Sequence, residues 1–208
     1  MNLTRLISTA MLLCFTLPWS IYAQTPASGI VNPGESVAGL KLGSTFTEFQ
    51  ALFPAHPNID EDVQNSLQNG CPERSYHWVD IDRNATGVYA LFKYGKIYQI
   101  SVHTPRFSLL NGVHMDSTAD EVKRVYPKGE EYVLAGSGSA VVGGKNLLYW
   151  VDKADGAAFE LYWNKKANRR LVSSIDIFKA GTEYRPQGCI SPPQLWKELK
   201  SPSYPPTR

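Results

Sequence analysis

Cysteine, histidine and uncompensated charge are all scarce in this chain. Its 208 residues include three cysteines and four histidines, and the formal net charge is only +2. No two of His56, His77, His103 and His114 stand four positions apart and no H-E-x-x-H occurs, so a helical zinc site is excluded and each histidine reads as structural. So small a net charge leaves no electrostatic footprint for nucleic acid, which needs a strongly basic face. It also gives no reason to expect attraction to an anionic membrane. Beyond the N-terminus no stretch is apolar enough to span a bilayer, which takes about 20 residues.

Catalytic signatures are missing as well. The run Gly136–Asn146 invites comparison with a phosphate loop, but Ser139 stands where the first glycine belongs, and Asn146 replaces the hydroxyl that would hold magnesium. The same run has no G-x-S-x-G, so it offers no nucleophile elbow and reads as a hairpin loop. The run Asp80–Thr86 starts like a calcium loop, yet Ala85 occupies the glycine position and Leu91 the position of the bidentate glutamate, so a plain turn is expected. Asn84-Ala85-Thr86 is a glycosylation sequon, relevant only in a eukaryotic host. No metal site and no cofactor are expected. Carboxylates are plentiful, but a sequence does not say whether two converge in a pocket as acid–base catalysis requires.

The N-terminus is informative. Arg5 precedes an apolar stretch from Leu6 to Leu17, Pro18 breaks it, and Ile21-Tyr22-Ala23 ends on a small residue. Those are the three parts of a cleaved export signal, predicted over residues 1–23. Leu13 before Cys14 argues against a lipobox. The mature product of about 185 residues is expected in the periplasm or secreted, with no membrane insertion after cleavage. Cys71 and Cys189 then remain, and in an oxidising compartment an even pair reads as a disulfide.

An internal match organises the rest. Residues 39–54 lie over 112–127 at a constant offset of 73, with shared Gly, Ser, Thr, Glu and Pro. Thr45 with Glu48, and Thr118 with Glu121, have the spacing of capping boxes. Phe49, Leu52 and Phe53 then make one apolar face, as do Val122, Val125 and Tyr126, and Pro54 and Pro127 end the helices. A second short helix is predicted over Asp60–Gln68. Strands are predicted over 75–81, 88–92 and 97–102 in the first half, and over 131–135, 146–151, 157–164 and 171–178 in the second.

The expected fold is α+β, as two tandem repeats (35–105 and 106–182), each a short helical segment followed by an antiparallel meander. A proline-rich tail with a short helix follows over 183–208. The pattern Gly-x-x-x-Gly-x-Thr-x-x-Glu-aromatic before a meander resembles outer-membrane assembly lipoproteins of the SmpA/OmlA type and the β-lactamase inhibitor proteins. The latter carry two such units in tandem. The likeness covers 39–54 and 112–127 closely and 37–180 in layout; Asp116 replaces Gly43 in the second copy, and the lipobox is missing. It implies tandem architecture and no particular target.

On strands, alternate residues share a face. Phe159, Leu161 and Trp163 oppose Glu160, Tyr162 and Asn164; Ile100 and Val102 oppose Gln99, Ser101 and His103; Val79 and Ile81 oppose Tyr76, Trp78 and Asp80. If helices cover the apolar side, the open face shows Tyr76, Trp78, Gln99, His103, Glu160 and Tyr162, an interface-like mixture. The expectation is an exported, non-catalytic protein-binding module of inhibitor or immunity type. Its partner would be another exported or envelope protein. The alternatives are an envelope hydrolase or small-ligand binder with an unrecognised site, and an envelope-assembly factor.

Overall fold

Two hydroxyl-and-carboxylate pairs start the helices. The computed structural model describes residues 29–54, 64–66, 73–80, 85–133, 141–142 and 145–186. Among them are two helices, α1 (Phe46–Leu52) and α2 (Ala119–Val125). Thr45 accepts from the Glu48 amide at 3.3 Å while its own amide donates to the Glu48 carboxylate at 2.6 Å; the Thr118–Glu121 pair repeats this at 3.2 and 2.7 Å. Both predicted capping boxes therefore form, each satisfying amides that a helix start leaves free.

The strands are β1 (Gly29–Asn32), β2 (Ser36–Val37), β3 (Leu40–Lys41), β4 (Gln64–Ser66), β5 (Glu73–Asp80), β6 (Ala85–Lys93), β7 (Lys96–Val102) and β8 (Phe107–Leu109). They continue with β9 (Glu130–Val133), β10 (Val141–Val142), β11 (Lys145–Asn146), β12 (Leu148–Asp152), β13 (Ala157–Asn164) and β14 (Arg169–Phe178). The main sheet has eight strands in the order β4-β5-β6-β7-β14-β13-β12-β9. Two four-stranded meanders meet in its middle, where β7 and β14 pair antiparallel over only four residue pairs, Gln99–Phe178 through Val102–Ile175. A small sheet, β3-β2-β1-β8, lies with the helices on one side of the main sheet; its β1–β8 pairing is parallel and was not foreseen. β10 and β11 form a separate hairpin.

The architecture is α+β with most of the described residues in strands. Helices and small sheet bury Val31, Leu40, Phe49, Phe107, Val122 and Tyr126 against Val88, Ile100, Val102, Phe159, Leu161 and Ile175. Each helix entry is latched to the strand beneath it. The Gly43 amide donates to the Ile97 carbonyl and the Ile97 amide to the Ser44 carbonyl, at 2.7 and 2.9 Å. Asp116, Val172 and Ser117 make the same pair of bonds at 3.0 and 2.9 Å. The latch needs a left-handed residue: Gly43 has φ +88° and Asp116 has φ +69°.

Two expectations are corrected. Gln64–Ser66, inside the predicted helix 60–68, is an edge strand pairing with Glu73–Ser75. On β5 the faces are reversed: Trp78 is buried among Phe53 and Phe107, and Tyr76 stacks on Phe46 at 3.9 Å, so both point to the helices. A bulge between Trp78 and Val79 shifts the register, with Trp78 opposite Val88 and Val79 opposite Thr86. Gly87 falls between those partners, and a Cβ there would lie 2.3 Å from the Trp78 ring. The export segment 1–23, Cys71, Cys189 and the tail beyond residue 186 lie outside the described residues.

Candidate functional site

The face of the main sheet away from the helices carries an unusual amount of buried polarity. Strand alternation puts Gln99, Ser101, Glu160, Ser174 and Asp176 there, opposite the core-facing Ile100, Val102, Phe159, Leu161, Ile175 and Ile177. A second, smaller core of Tyr132, Leu147, Tyr149, Val151, Ala158, Phe178 and Tyr184 covers part of it. Tyr184 comes from the segment after β14, and its ring packs 5.2 Å from that of Phe178.

Asp176 is the centre of this region. It is 3% exposed and accepts a hydrogen bond from the Tyr184 hydroxyl. Burial pushes its carboxyl from the ordinary 3.8 up to about 7; bonds from Ser101, Tyr184 and Ser174 pull the other way, and the Glu160 charge adds to the rise. Burial likewise raises the Tyr184 hydroxyl, reinforced by the Asp176 charge.

Glu160, one strand over, is half-buried and fully engaged. One carboxylate oxygen accepts from the Tyr149 hydroxyl at 2.5 Å, the other from Ser173 at 2.6 Å. Ser173 is able to reach it because the β13–β14 register shifts between Glu160 and Leu161, leaving Ser173 without an opposite number. Burial and the neighbouring Glu160 charge raise the Tyr149 hydroxyl well above its usual value. His103, half-buried beyond the end of β7, is held below its ordinary 6.5 by burial first and by His77; Glu160 opposes this. His77 itself lies edge-on to the Tyr89 ring at 4.3 Å.

The six residues expected on an open face therefore divide. His103, Glu160 and Tyr162 lie on the side away from the helices and reach solvent in part; the Tyr162 hydroxyl accepts from Asn164 at 3.1 Å. Gln99 is on that side too but only 1% exposed, with its amide nitrogen unpartnered. Tyr76 and Trp78 belong to the opposite side, inside or against the main core. Asp176, Tyr149, Ser173 and Tyr184 escaped the sequence reading. An acid between Ile175 and Ile177 in a strand was the available signal for the first of them.

Two other polar places are structural in character. Asp80, at the start of the calcium-like run, is buried, and one of its carboxylate oxygens accepts from Thr104 at 2.6 Å and from Arg106 at 2.7 Å. On the helix side an open cleft of about 550 Å³ lies between Val31, Asn32, Leu110, Asn111, Tyr126 and Asp155. There Asn111 donates to the Tyr126 hydroxyl at 3.0 Å. Among the described residues no group of three His, Cys, Asp or Glu is placed to hold a metal ion. No described helix is long and apolar enough to cross a membrane.

No family model matches the chain, and no curated protein matches it significantly. Among solved structures it is similar to the uncharacterized protein yfeY of Escherichia coli, at 12% identity and a TM-score of 0.46, over 71% of this chain and 96% of that one. It is also similar to a cysteine-rich secretory protein of Staphylococcus aureus at 12% identity and a TM-score of 0.40, over 74% of this chain and 49% of that one. An extracellular protein of Bacillus anthracis containing an SCP domain matches at 10% identity and a TM-score of 0.40, over 76% and 52%. The chain thus spans about half the length of the last two. Likeness this distant carries no argument about what the chain does.

Proposed function

We propose that the chain is an exported, non-catalytic binding module that engages another exported or envelope protein through the half-exposed row His103, Glu160 and Tyr162. The observation that carries this reading is the fixation of Glu160. Both its oxygens are held by side chains of the same sheet, Tyr149 and Ser173, so a charged group is presented rigidly beside an imidazole and a phenol. Recognition groups locked before a partner arrives lose little entropy on binding, which is how a modest surface gains affinity. The export signal over residues 1–23 supplies the compartment, and the matched helix latches support an origin by duplication of one half.

A specific observation supports the alternative, an envelope hydrolase or small-ligand binder. Glu160 acts on both Asp176 and His103, and the Asp176 carboxyl is raised to about 7, as acid–base residues often are. Against it stands access. Asp176 is almost wholly buried, and its side chain is already taken up by Tyr184, Ser101 and Ser174. A tuned acid that no substrate reaches is a structural acid.

The test compares the mature wild-type protein with the triple variant H103A/E160A/Y162A in crosslinking and capture from an envelope extract. A partner held by the wild type and lost by the folded variant is expected. Equal capture by both refutes the surface, and turnover of an ester or glycoside panel that depends on Asp176 would transfer the chain to the alternative.

A further inference from the structure

The sheet ends in a cluster of cations that the chain's near-neutral total conceals. The turn between β13 and β14 exposes Lys165, Lys166 and Arg169, and Arg170 follows. No acidic residue occurs from Leu161 to Ile175. The neighbouring β10–β11 hairpin adds Lys145, whose ammonium sits 3.2 Å from the centre of the Trp163 ring. Arg170 ties the two hairpins together, donating to the Asn146 carbonyl at 2.9 Å and the Leu161 carbonyl at 3.0 Å.

The turn is held in shape. The Ala167 amide donates to the Asn164 side chain at 2.9 Å, Asn164 donates to the Tyr162 hydroxyl at 3.1 Å, and Asn168 takes the left-handed conformation at φ +51°. Of the bordering carboxylates, Glu131 is occupied by Lys123 at 2.8 Å. Asp116 is left beside Val172 as an acid bordering the tip. The result is a projecting end with four turn cations, a fifth on an indole, and a half-buried tyrosine and tryptophan at its base.

We infer that this end is a docking surface for an anionic lipid membrane. Tryptophan and tyrosine bodies with polar tips suit the headgroup layer, and lysines and arginines beside them meet the anionic charge. A projecting tip touches a plane without obstruction, whereas nucleic acid calls for a basic stripe along a face. Contact here leaves the opposite end of the sheet, with the β6–β7 turn, away from the membrane, since β7 and β14 run antiparallel. The inference shares Tyr162 with the proposed protein-binding surface but not His103 or Glu160, its test leaves all three in place, and it involves adsorption without insertion.

The experiment is co-sedimentation of the purified protein with vesicles of pure phosphatidylcholine and of phosphatidylcholine with about 30 mol% phosphatidylglycerol. Binding is expected only to the anionic vesicles, and it should vanish at about 0.5 M salt, where screening shrinks the reach of surface charge to a few ångström. Each basic residue near such a surface contributes roughly five-fold, so K165A/K166A/R169A is expected to weaken binding by about a hundred-fold. The control K41A/K93A/K96A removes as many exposed cations elsewhere and is expected to bind like wild type. Wild-type failure to bind anionic vesicles, unchanged binding by the turn variant, or equal loss in the control would each overturn the inference. So would retention on an oligonucleotide or acidic-protein matrix without vesicle binding, which would give the tip a different partner. Melting curves of both triples confirm that the fold persists.

Discussion

Replacing Asp176 by asparagine isolates the energetic consequence of its burial. Its carboxyl lies at about 7 in the folded chain against an ordinary 3.8, so between those values the native state holds a proton that the unfolded chain has released. Stability from this group is therefore complete below the unfolded value and is lost as pH rises through the folded one. A gap of about three units at 1.36 kcal/mol each sets the loss at roughly 4 kcal/mol at most. His103 works in the opposite direction. Its folded value is depressed, so its contribution is lost as pH falls below its ordinary 6.5, and wild-type stability alone mixes the two. The difference between D176N and wild type removes that mixture, since His103 and the groups that act on Asp176 (Ser101, Ser174, Tyr184, Glu160 and Tyr149) are common to both. An asparagine oxygen still accepts from Tyr184, which limits the structural change. Urea unfolding at half-unit steps from pH 4.5 to 8.5 should show D176N gaining on wild type by about 1 kcal/mol per pH unit through the middle of the range, then levelling. A difference that stays flat with pH refutes the buried-acid account. A companion, Y184F, removes a donor that lowers the Asp176 value, so its own loss should begin at the same pH but continue to higher pH than in wild type before levelling.

Three further outcomes follow from the packing. Thr45→Ala and Thr118→Ala should each cost about 1 kcal/mol by thermal unfolding, and the double variant about their sum, because each removes a cap from a separate helix. Gly87→Ala forces a Cβ to within 2.3 Å of the Trp78 ring, so a loss of about 2 kcal/mol or more is expected, with a change in tryptophan fluorescence; a neutral result would contradict the bulge geometry. Arg106→Ala removes a 2.7 Å ion pair from the buried Asp80 and should cost about 3 kcal/mol by urea unfolding at pH 7.

The legible features were those written in a few adjacent residues. Capping boxes need only a hydroxyl and a carboxylate three apart, and both formed. The meander strands announced themselves through β-branched and aromatic runs. Alternation then placed Phe159, Leu161, Ile100 and Val102 on the core side. On β5 the period held and the side did not: Tyr76 and Trp78 do share a face, but that face turns to Phe46, Phe53 and Phe107 on the helix side, contacts that no alternation within the strand announces, and the bulge residue Gly87 lies on the neighbouring strand. The helix expected over 60–68 rested on Val63 and Leu67 one turn apart, but pairing with β5 decided for a strand at Gln64–Ser66. β1, β2, β3 and β8 are two to four residues long, and β1 finds its parallel partner far along the chain, so no local signal marks them. On the candidate face the polar residues were assigned to the correct side for Gln99, His103, Glu160 and Tyr162. The burial of Gln99 and the role of Tyr184 depend on what packs above the strand. The basic turn was visible as a Lys-Lys and Arg-Arg sequence, yet the averaged charge hid it.

The short ladder between β7 and β14 has a consequence for how the molecule opens. Only four residue pairs join the meanders, against eight between β13 and β14, and the joined residues lie about 75 positions apart in the chain. Closing so long a loop is entropically costly, so each meander is able to zip from local contacts before the two halves adhere. Asp176 faces Ser101 within that ladder. The buried acid raised toward neutrality thus sits on the short ladder that joins the two meanders. Once its proton leaves, the amides of Ile100 and Ile177 on either side of that ladder should lose protection from hydrogen exchange before those in the middle of β13 do.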